Sequence, residues 1–290
     1  MSTAEVIKRV RTLEITARQL VNDTFAGHYS STFKGRGMEF SEVREYLPGD
    51  DVRAIDWNVT ARTGHPFIKK FVEERELTIL FLVDASGSLR FGTRRQFKSE
   101  LAAEITAVLA FSALANNDKT GLVLFSDREE KFIPPRKTRG HILRLIREVL
   151  TFTSRRTGTS VQAALDFVNR VQRRRAVVFV LSDFLDEGFE KSLRIAQRKH
   201  DVIAVPVADP WESRLPGNVR LLLEDGENQA IAAVNTGAVA PGFARDNDAR
   251  RDALAGLFKR AGVDSIFTET GRPYTTAFLR FFRERAKRFH

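Results

Sequence analysis

Asp84, Ser86 and Ser88 are the residues whose types and spacing most plainly suit chemistry. They close the run Leu77-Thr78-Ile79-Leu80-Phe81-Leu82-Val83-Asp84-Ala85-Ser86-Gly87-Ser88 at i, i+2 and i+4. In extended chain that spacing sends all three side chains to one side, and Gly87 lets the backbone curl between the serines. A carboxylate and two hydroxyls are hard oxygen donors of the kind that hold Mg²⁺ or Ca²⁺. The run before them is short, apolar and uncharged, which predicts a strand buried on both faces of a parallel sheet. In open α/β sheets ligands sit just past the carboxyl ends of such strands, and Asp84 stands there. The alternative reading of the triplet is helix capping by Asp84 and Ser88.

The elements that must position these residues alternate in type. Further apolar strands are predicted at Thr120 to Phe125, Ala176 to Leu181 and Asp201 to Val207, with Phe132-Ile133-Pro134-Pro135 confined to a sheet edge. Between them lie helical patterns from Phe97 to about Asn116, over 142–150, from Val161 onward and over 187–199. This predicts an α/β fold with a doubly wound, mostly parallel sheet, preceded by an N-terminal helix over 3–22 and a loop-rich segment. Two domains are expected, 1–76 and 77–290, the second ending in a hairpin (221–223 with 229–234), a helix over 243–261, a strand at 265–267 and a helix over 273–289. Gly158-Thr159 precedes the helix at Val161, and Ser182-Asp183 ends a strand, so three polar clusters gather at one edge of the sheet.

Residues 23–66 differ in kind, with glycines punctuating dense opposite charges, and a strand or extended connector is expected after them over 65–73. Glu39, Arg44, Asp50, Arg53, Asp56 and Arg62 read either as a partner-binding loop or as an insertion held by its own Arg–carboxylate pairs, whose forked geometry suits that role.

Composition narrows the function classes. The 290 residues contain no cysteine, which excludes disulfides, thiolate metal sites and a Cys nucleophile. Residues 1–24 supply no apolar core of a signal peptide, and no apolar stretch approaches the roughly 18 residues that span a bilayer. A cytoplasmic protein is expected. Lys and Arg outnumber Asp and Glu by 47 to 37, yet the surplus is scattered and no nucleic-acid motif accompanies it. Nucleic acid is not expected as a partner, and membrane contact is left open but not predicted.

Taken together, Asp84-Ala85-Ser86-Gly87-Ser88, Gly158-Thr159 and Ser182-Asp183 resemble the von Willebrand factor A domain and its metal-ion-dependent adhesion site (MIDAS). The resemblance implies Asp84, Ser86, Ser88, Thr159 and Asp183 as metal ligands. Upstream, Gly35-Arg36-Gly37-Met38-Glu39-Phe40, then Arg44-Glu45-Tyr46-Leu47-Pro48-Gly49-Asp50-Asp51-Val52-Arg53, Ile55-Asp56-Trp57 and Ala61-Arg62 resemble the signature of domain-of-unknown-function family fifty-eight. Relatives of that kind carry an adhesion-type A domain after the signature and are associated with MoxR-type AAA+ ATPases. The resemblance thus implies a non-enzymatic adaptor whose divalent cation, Mg²⁺ first with Mn²⁺ or Ca²⁺ as alternatives, bridges to a carboxylate of the ATPase or its substrate.

Two other classes are weighed against this. A phosphotransferase or phosphatase using Asp84 would want an acid two residues on, where Ser86 stands. No Gly-x-x-x-x-Gly-Lys-Ser/Thr phosphate loop occurs, and the five histidines form no spaced metal or triad pattern. A basic nucleic-acid-binding protein would lose affinity steeply with salt.

Overall fold

The computed structural model describes residues 3–33, 39–72, 76–93, 96–154, 156, 158–224 and 230–288. The first helix, α1 (Thr3–Leu20), passes through a π-helical turn at Val21–Phe25 into α2 (Ala26–Thr32). The amphipathic pattern of 3–22 therefore continues further than expected. Asn22, Asp23 and Gly27 obscure it, and buried Phe25 and Tyr29 restore it.

A small unit follows, β1 (Glu39–Glu45), α3 (Trp57–Thr63) and β2 (Phe67–Val72). The strands pair antiparallel, with Arg44 opposite Ile68. The strand or extended connector expected over 65–73 is β2, whereas what reads in sequence as loop before it holds β1 and a short helix. Charged residues occupy too much of β1 for the alternation of a half-buried strand to show. Gly35, Arg36, Gly37 and Met38 of the family signature lie outside the described residues.

The body runs β3 (Thr78–Asp84), α4 (Lys98–Ala115), β4 (Lys119–Phe125), β5 (Glu129–Arg136), α5 (Arg139–Thr151), α6 (Val161–Val171), β6 (Val177–Ser182), α7 (Glu190–Lys199) and β7 (Asp201–Ala208). It continues through α8 (Pro210–Ser213), β8 (Arg220–Glu224), β9 (Ile231–Asn235), α9 (Thr236–Ala261), β10 (Asp264–Ser265), β11 (Thr268–Glu269) and α10 (Tyr274–Arg288). The sheet order is β10-β7-β6-β3-β4-β5, with β11 also on β7, and every pairing is parallel except β4 with β5. The expected doubly wound, mostly parallel sheet is present. The expected strand at 265–267 is two short pieces along β7, and the expected hairpin is β8 with β9.

Leu80 and Leu82 of β3 join one core with Val161, Leu165, Val178, Val180 and Phe258. Ile79, Phe81 and Val83 alternate to the opposite face and are equally buried. Helix α4 is apolar nearly all round, as befits a helix buried on every side, with α1 and α5 packed on it. Residues 1–32 accordingly group with 77–290 as one compact unit, and 33–76 forms the other. The sequence-based division placed α1 with the small unit. Its buried Val6 and Ala17 belong instead to the helical layer over α4 and α5.

Among the described residues no helix is long and apolar enough to cross a membrane. On α10, Phe278 and Phe282 are buried and Phe282 meets Phe25 edge-on at 5.9 Å, so its aromatic stripe is core.

Candidate metal-ion site at the carboxyl edge of the sheet

Strand β3 is central: the chain leaves it for β4 on one side and returns through α5 and α6 to β6 on the other. Its carboxyl end is therefore a topological switch point, where loops diverge and leave a crevice. Asp84 ends β3, opposite Phe125 of β4, and Ser182 ends the neighbouring β6.

Asp84 is 2% exposed. Its Oδ1 accepts the Ser86 backbone N–H at 2.9 Å, and its Oδ2 accepts the Ser182 hydroxyl at 2.7 Å. Past Ser86 the chain does not stay extended. A 3₁₀ turn over Gly87–Arg90 begins there, and it leaves the Ser86 and Ser88 hydroxyls 3.0 Å apart. The i, i+2, i+4 spacing thus gathers its oxygens by a turn, as Gly87 permits.

Asp183 has a side chain only 4% exposed. Burial first, and then the charge of Asp183, push the Asp84 carboxyl up to about 7, against the pull of the Ser86 and Ser182 hydrogen bonds. Two carboxylates therefore share one desolvated place.

Thr159 reaches the same edge through the backbone. Ser160 N–H donates to Ser126 O at 2.7 Å, one residue past the end of β4, and Val161 N–H donates to Asp186 Oδ2 at 2.8 Å. Gly158, with φ +88°, supplies the left-handed turn just before it. Arg156 pairs with Asp127 across this loop. Thr159 is thus tied between the end of β4 and the loop after β6, while Asp84, Ser86, Ser88 and Ser182 are linked directly.

Sequence reasoning placed Ser182 at this edge without giving it a role, and missed Lys98 and Glu212. Ser182 orients Asp84, as above. Lys98, the first residue of α4 and fully buried, donates to Asp183 Oδ2 at 2.9 Å and to Glu212 Oε1 at 2.5 Å. Burial works to lower the Lys98 pKa, but the charges of Asp183 and Glu212 prevail and hold it above the ordinary lysine value. Burial pushes Glu212 up, only partly countered by Lys98. Glu212 also accepts the Asp209 N–H at 2.9 Å, which fixes α8 against the end of β7. The one sequence signal for Lys98 was its place at the start of the most apolar helix.

The donor set fits a hard divalent cation in kind: carboxylate and hydroxyl oxygens, desolvated and partly negative. Among the described residues no three His, Asp or Glu side chains gather as an all-anionic cage. A cation here would rest on Asp84, Asp183 and neutral hydroxyls.

Within the small unit, the predicted charge set divides. Arg44 grips Asp50 bidentately at 2.9 and 2.8 Å, and this with the Leu47 N–H lowers the Asp50 pKa. Asp56 caps α3 through the N–H groups of Asn58 and Val59. These two carboxylates have structural work, as the insertion reading requires. The Arg53 and Arg62 residues are exposed. Glu39 opens β1, and its side chain lies outside the described part.

A family model described as "Protein of unknown function DUF58" matches residues 42–253. The chain belongs to that family. A DUF58 relative, the uncharacterized protein Rv1480 of Mycobacterium tuberculosis, is 31% identical over 282 residues, covering 96% of this chain and 89% of its own. The uncharacterized protein YeaD of Bacillus subtilis is 28% identical over 109 residues, 38% of this chain and 25% of its own. Among solved structures, the conserved hypothetical protein BatB from Bacteroides thetaiotaomicron overlaps this DUF58 chain with a TM-score of 0.46 at 15% identity, covering 73% of this chain and 99% of its own. The SpRpn10 VWA domain overlaps it with a TM-score of 0.34 at 16% identity, covering 46% and 76%.

Proposed function

We propose that the protein is a non-enzymatic protein-binding module in which a divalent cation, Mg²⁺ first, bridges Asp84, Ser86, Ser88, Thr159 and Asp183 to a carboxylate of a partner. The observation that carries this reading is buried Asp84, bonded to Ser182 next to buried Asp183 and followed by the paired Ser86 and Ser88 hydroxyls, at the switch point of the sheet. Two carboxylates roughly offset a divalent charge, and Mg²⁺ keeps exchangeable waters that a partner oxygen can replace. The resemblance to adaptors of MoxR-type AAA+ ATPases supports such an ATPase, or its substrate, as the partner. A cytoplasmic setting belongs to the same proposal, in keeping with the absence of cysteine.

Catalysis at Asp84 is the weaker alternative. Such an enzyme wants an acid two residues past the nucleophile to act as acid and base, and that position is Ser86. An aspartyl-phosphate trapped at Asp84 would reverse that judgement.

Calorimetric titration of Mg²⁺ into the protein and into Asp84→Ala tests the main reading. The variant is expected to lose Mg²⁺ binding while its circular dichroism is retained; unchanged affinity would rule the assignment out. Pull-down in Mg²⁺ and in chelator then identifies the partner.

A further inference from the structure

Beside Asp183 the sheet edge opens into a cleft of about 1030 Å³, lined by the end of β7, by α8, α9 and β11, and by the start of α10. Its charges do not cancel. Arg214 pairs with Asp248 at 3.3 Å, and Arg272 with Glu269 at 3.3 Å. Lys98 answers Asp183 and Glu212. Arg250, Arg251 and Arg280 also line the cleft, and among the described residues none has a carboxylate partner. The Arg251 guanidinium lies 4.9 Å from the Phe267 ring centroid. Stacking of that kind fixes a guanidinium while its in-plane N–H donors stay available for a carboxylate.

We infer that this cleft receives an acidic polypeptide segment of the partner, its carboxylates meeting Arg250, Arg251 and Arg280 next to the metal position. The inference deepens the cation-bridged reading and rests on it for one contact only, the carboxylate at the metal. Acidic peptide suits the cleft better than a phosphate chain. Asp183, Glu212, Asp248 and Glu269 stand among the arginines, so a densely and uniformly charged polymer meets repulsion. A peptide spaces its carboxylates with neutral residues. Pro206, Pro210 and Tyr274 give those residues apolar surface to cover.

The test is fluorescence anisotropy of a fluorescein-labelled peptide of alternating glutamate and glycine, measured in Mg²⁺ and in chelator. Charge reversal of the cleft (Arg250→Glu, Arg251→Glu, Arg280→Glu) is expected to weaken binding by about tenfold or more, as for interfacial charge pairs. The same reversal at exposed Arg173, Arg174 and Arg175, outside the cleft, is expected to leave it unchanged. Equal loss in both variants would mean attraction to net charge alone, and no loss in the cleft variant would overturn the inference. If the triple change prevents folding, Arg250→Gln with Arg280→Gln takes its place and is expected to weaken binding severalfold. A labelled oligouridine held more tightly by the same arginines would overturn the polypeptide assignment. Asp84→Ala separates the two readings. It should remove only the Mg²⁺-dependent part of the binding, and arginine dependence without any Mg²⁺ dependence would sink the metal bridge while the cleft assignment stands.

Discussion

Lys98 Nζ lies 2.9 Å from Asp183 Oδ2, joining residues 85 apart in sequence at the carboxyl edge of the sheet. With Glu212 on its other side, a fully buried ammonium already serves part of the charge role that a cation would take. Removing one partner of a buried ion pair costs about 3 to 5 kcal/mol, because the other charge is left desolvated and alone. Lys98→Met is therefore expected to lose stability of that order in chelator. It should also recover more on adding Mg²⁺ than the unaltered protein does. Urea unfolding of both proteins, with and without Mg²⁺, measures the difference; equal increments would show that Lys98 and the cation do not share Asp183.

The Ser182 hydroxyl bonds twice, donating to Asp84 Oδ2 at 2.7 Å and accepting the Phe184 N–H at 3.1 Å. Ser182→Ala leaves both buried groups short of a partner, at a cost of about 1 to 3 kcal/mol. It also removes one of the bonds that favour the ionised form of Asp84, whose carboxyl already sits at about 7. The sign follows directly. Between the unfolded value of 3.8 and the folded value of about 7 the native state keeps a proton that the unfolded chain has released, so metal-free stability falls as pH rises through that window. Cation and proton compete for the same carboxylate, so Mg²⁺ affinity rises with pH up to about 7 and then levels. In Ser182→Ala that levelling is expected at higher pH. Calorimetric titrations across this range would expose a wrong assignment if affinity proved flat.

His200 behaves in the opposite sense. It caps the end of α7, is fully buried, and its ring nitrogens have no hydrogen-bond partner among the described residues. Burial, then the charges of Lys199 and Arg175, hold its pKa down at about 4, below the ordinary 6.5. Stability from the neutral ring is present above pH 6.5 and is lost as pH falls towards 4. At full protonation the loss approaches about 3 kcal/mol. His200→Leu is expected to flatten the decline in unfolding free energy over that window, and an unchanged decline would assign acid sensitivity elsewhere.

How much of this was legible in the sequence depended on the range of the interaction. Strands such as Val177–Ser182 announce themselves because a strand buried on both faces must be uniformly apolar. The Asp84–Ser88 cluster is local, and its spacing carries its geometry. Lys98 was invisible because lysine is ordinarily a surface residue. Only the burial of α4 on all sides turns its first residue inward, towards strand ends contributed by distant chain. In the small unit β2 was legible and β1 was not, for a different reason: Arg44 and Asp50 hold its end through a fork of hydrogen bonds, which leaves no hydrophobic period to read. The start of α9 at Thr236 was masked by Gly237 and Pro241, both unfavourable in helices yet included here.

Arg285 offers a test that separates the fold from the site. Its buried guanidinium donates to Asp264 Oδ2 at 2.9 Å and also grips Asp201, tying α10 to the first residues of β10 and β7. Lysine cannot reproduce a fork across two carboxylates, so Arg285→Lys is expected to recover only part of what Arg285→Ala loses, about 3 kcal/mol or more. Asp201 opens β7 whereas Asp84 closes β3, and the strands between them run parallel. The anchor and the candidate metal site therefore occupy opposite edges of one sheet. Arg285→Ala should lower the unfolding midpoint and leave Mg²⁺ affinity of the folded protein unchanged, read by calorimetry well below that midpoint. A parallel loss of affinity would mean that the carboxyl edge depends on how α10 is held at the far end of the strands.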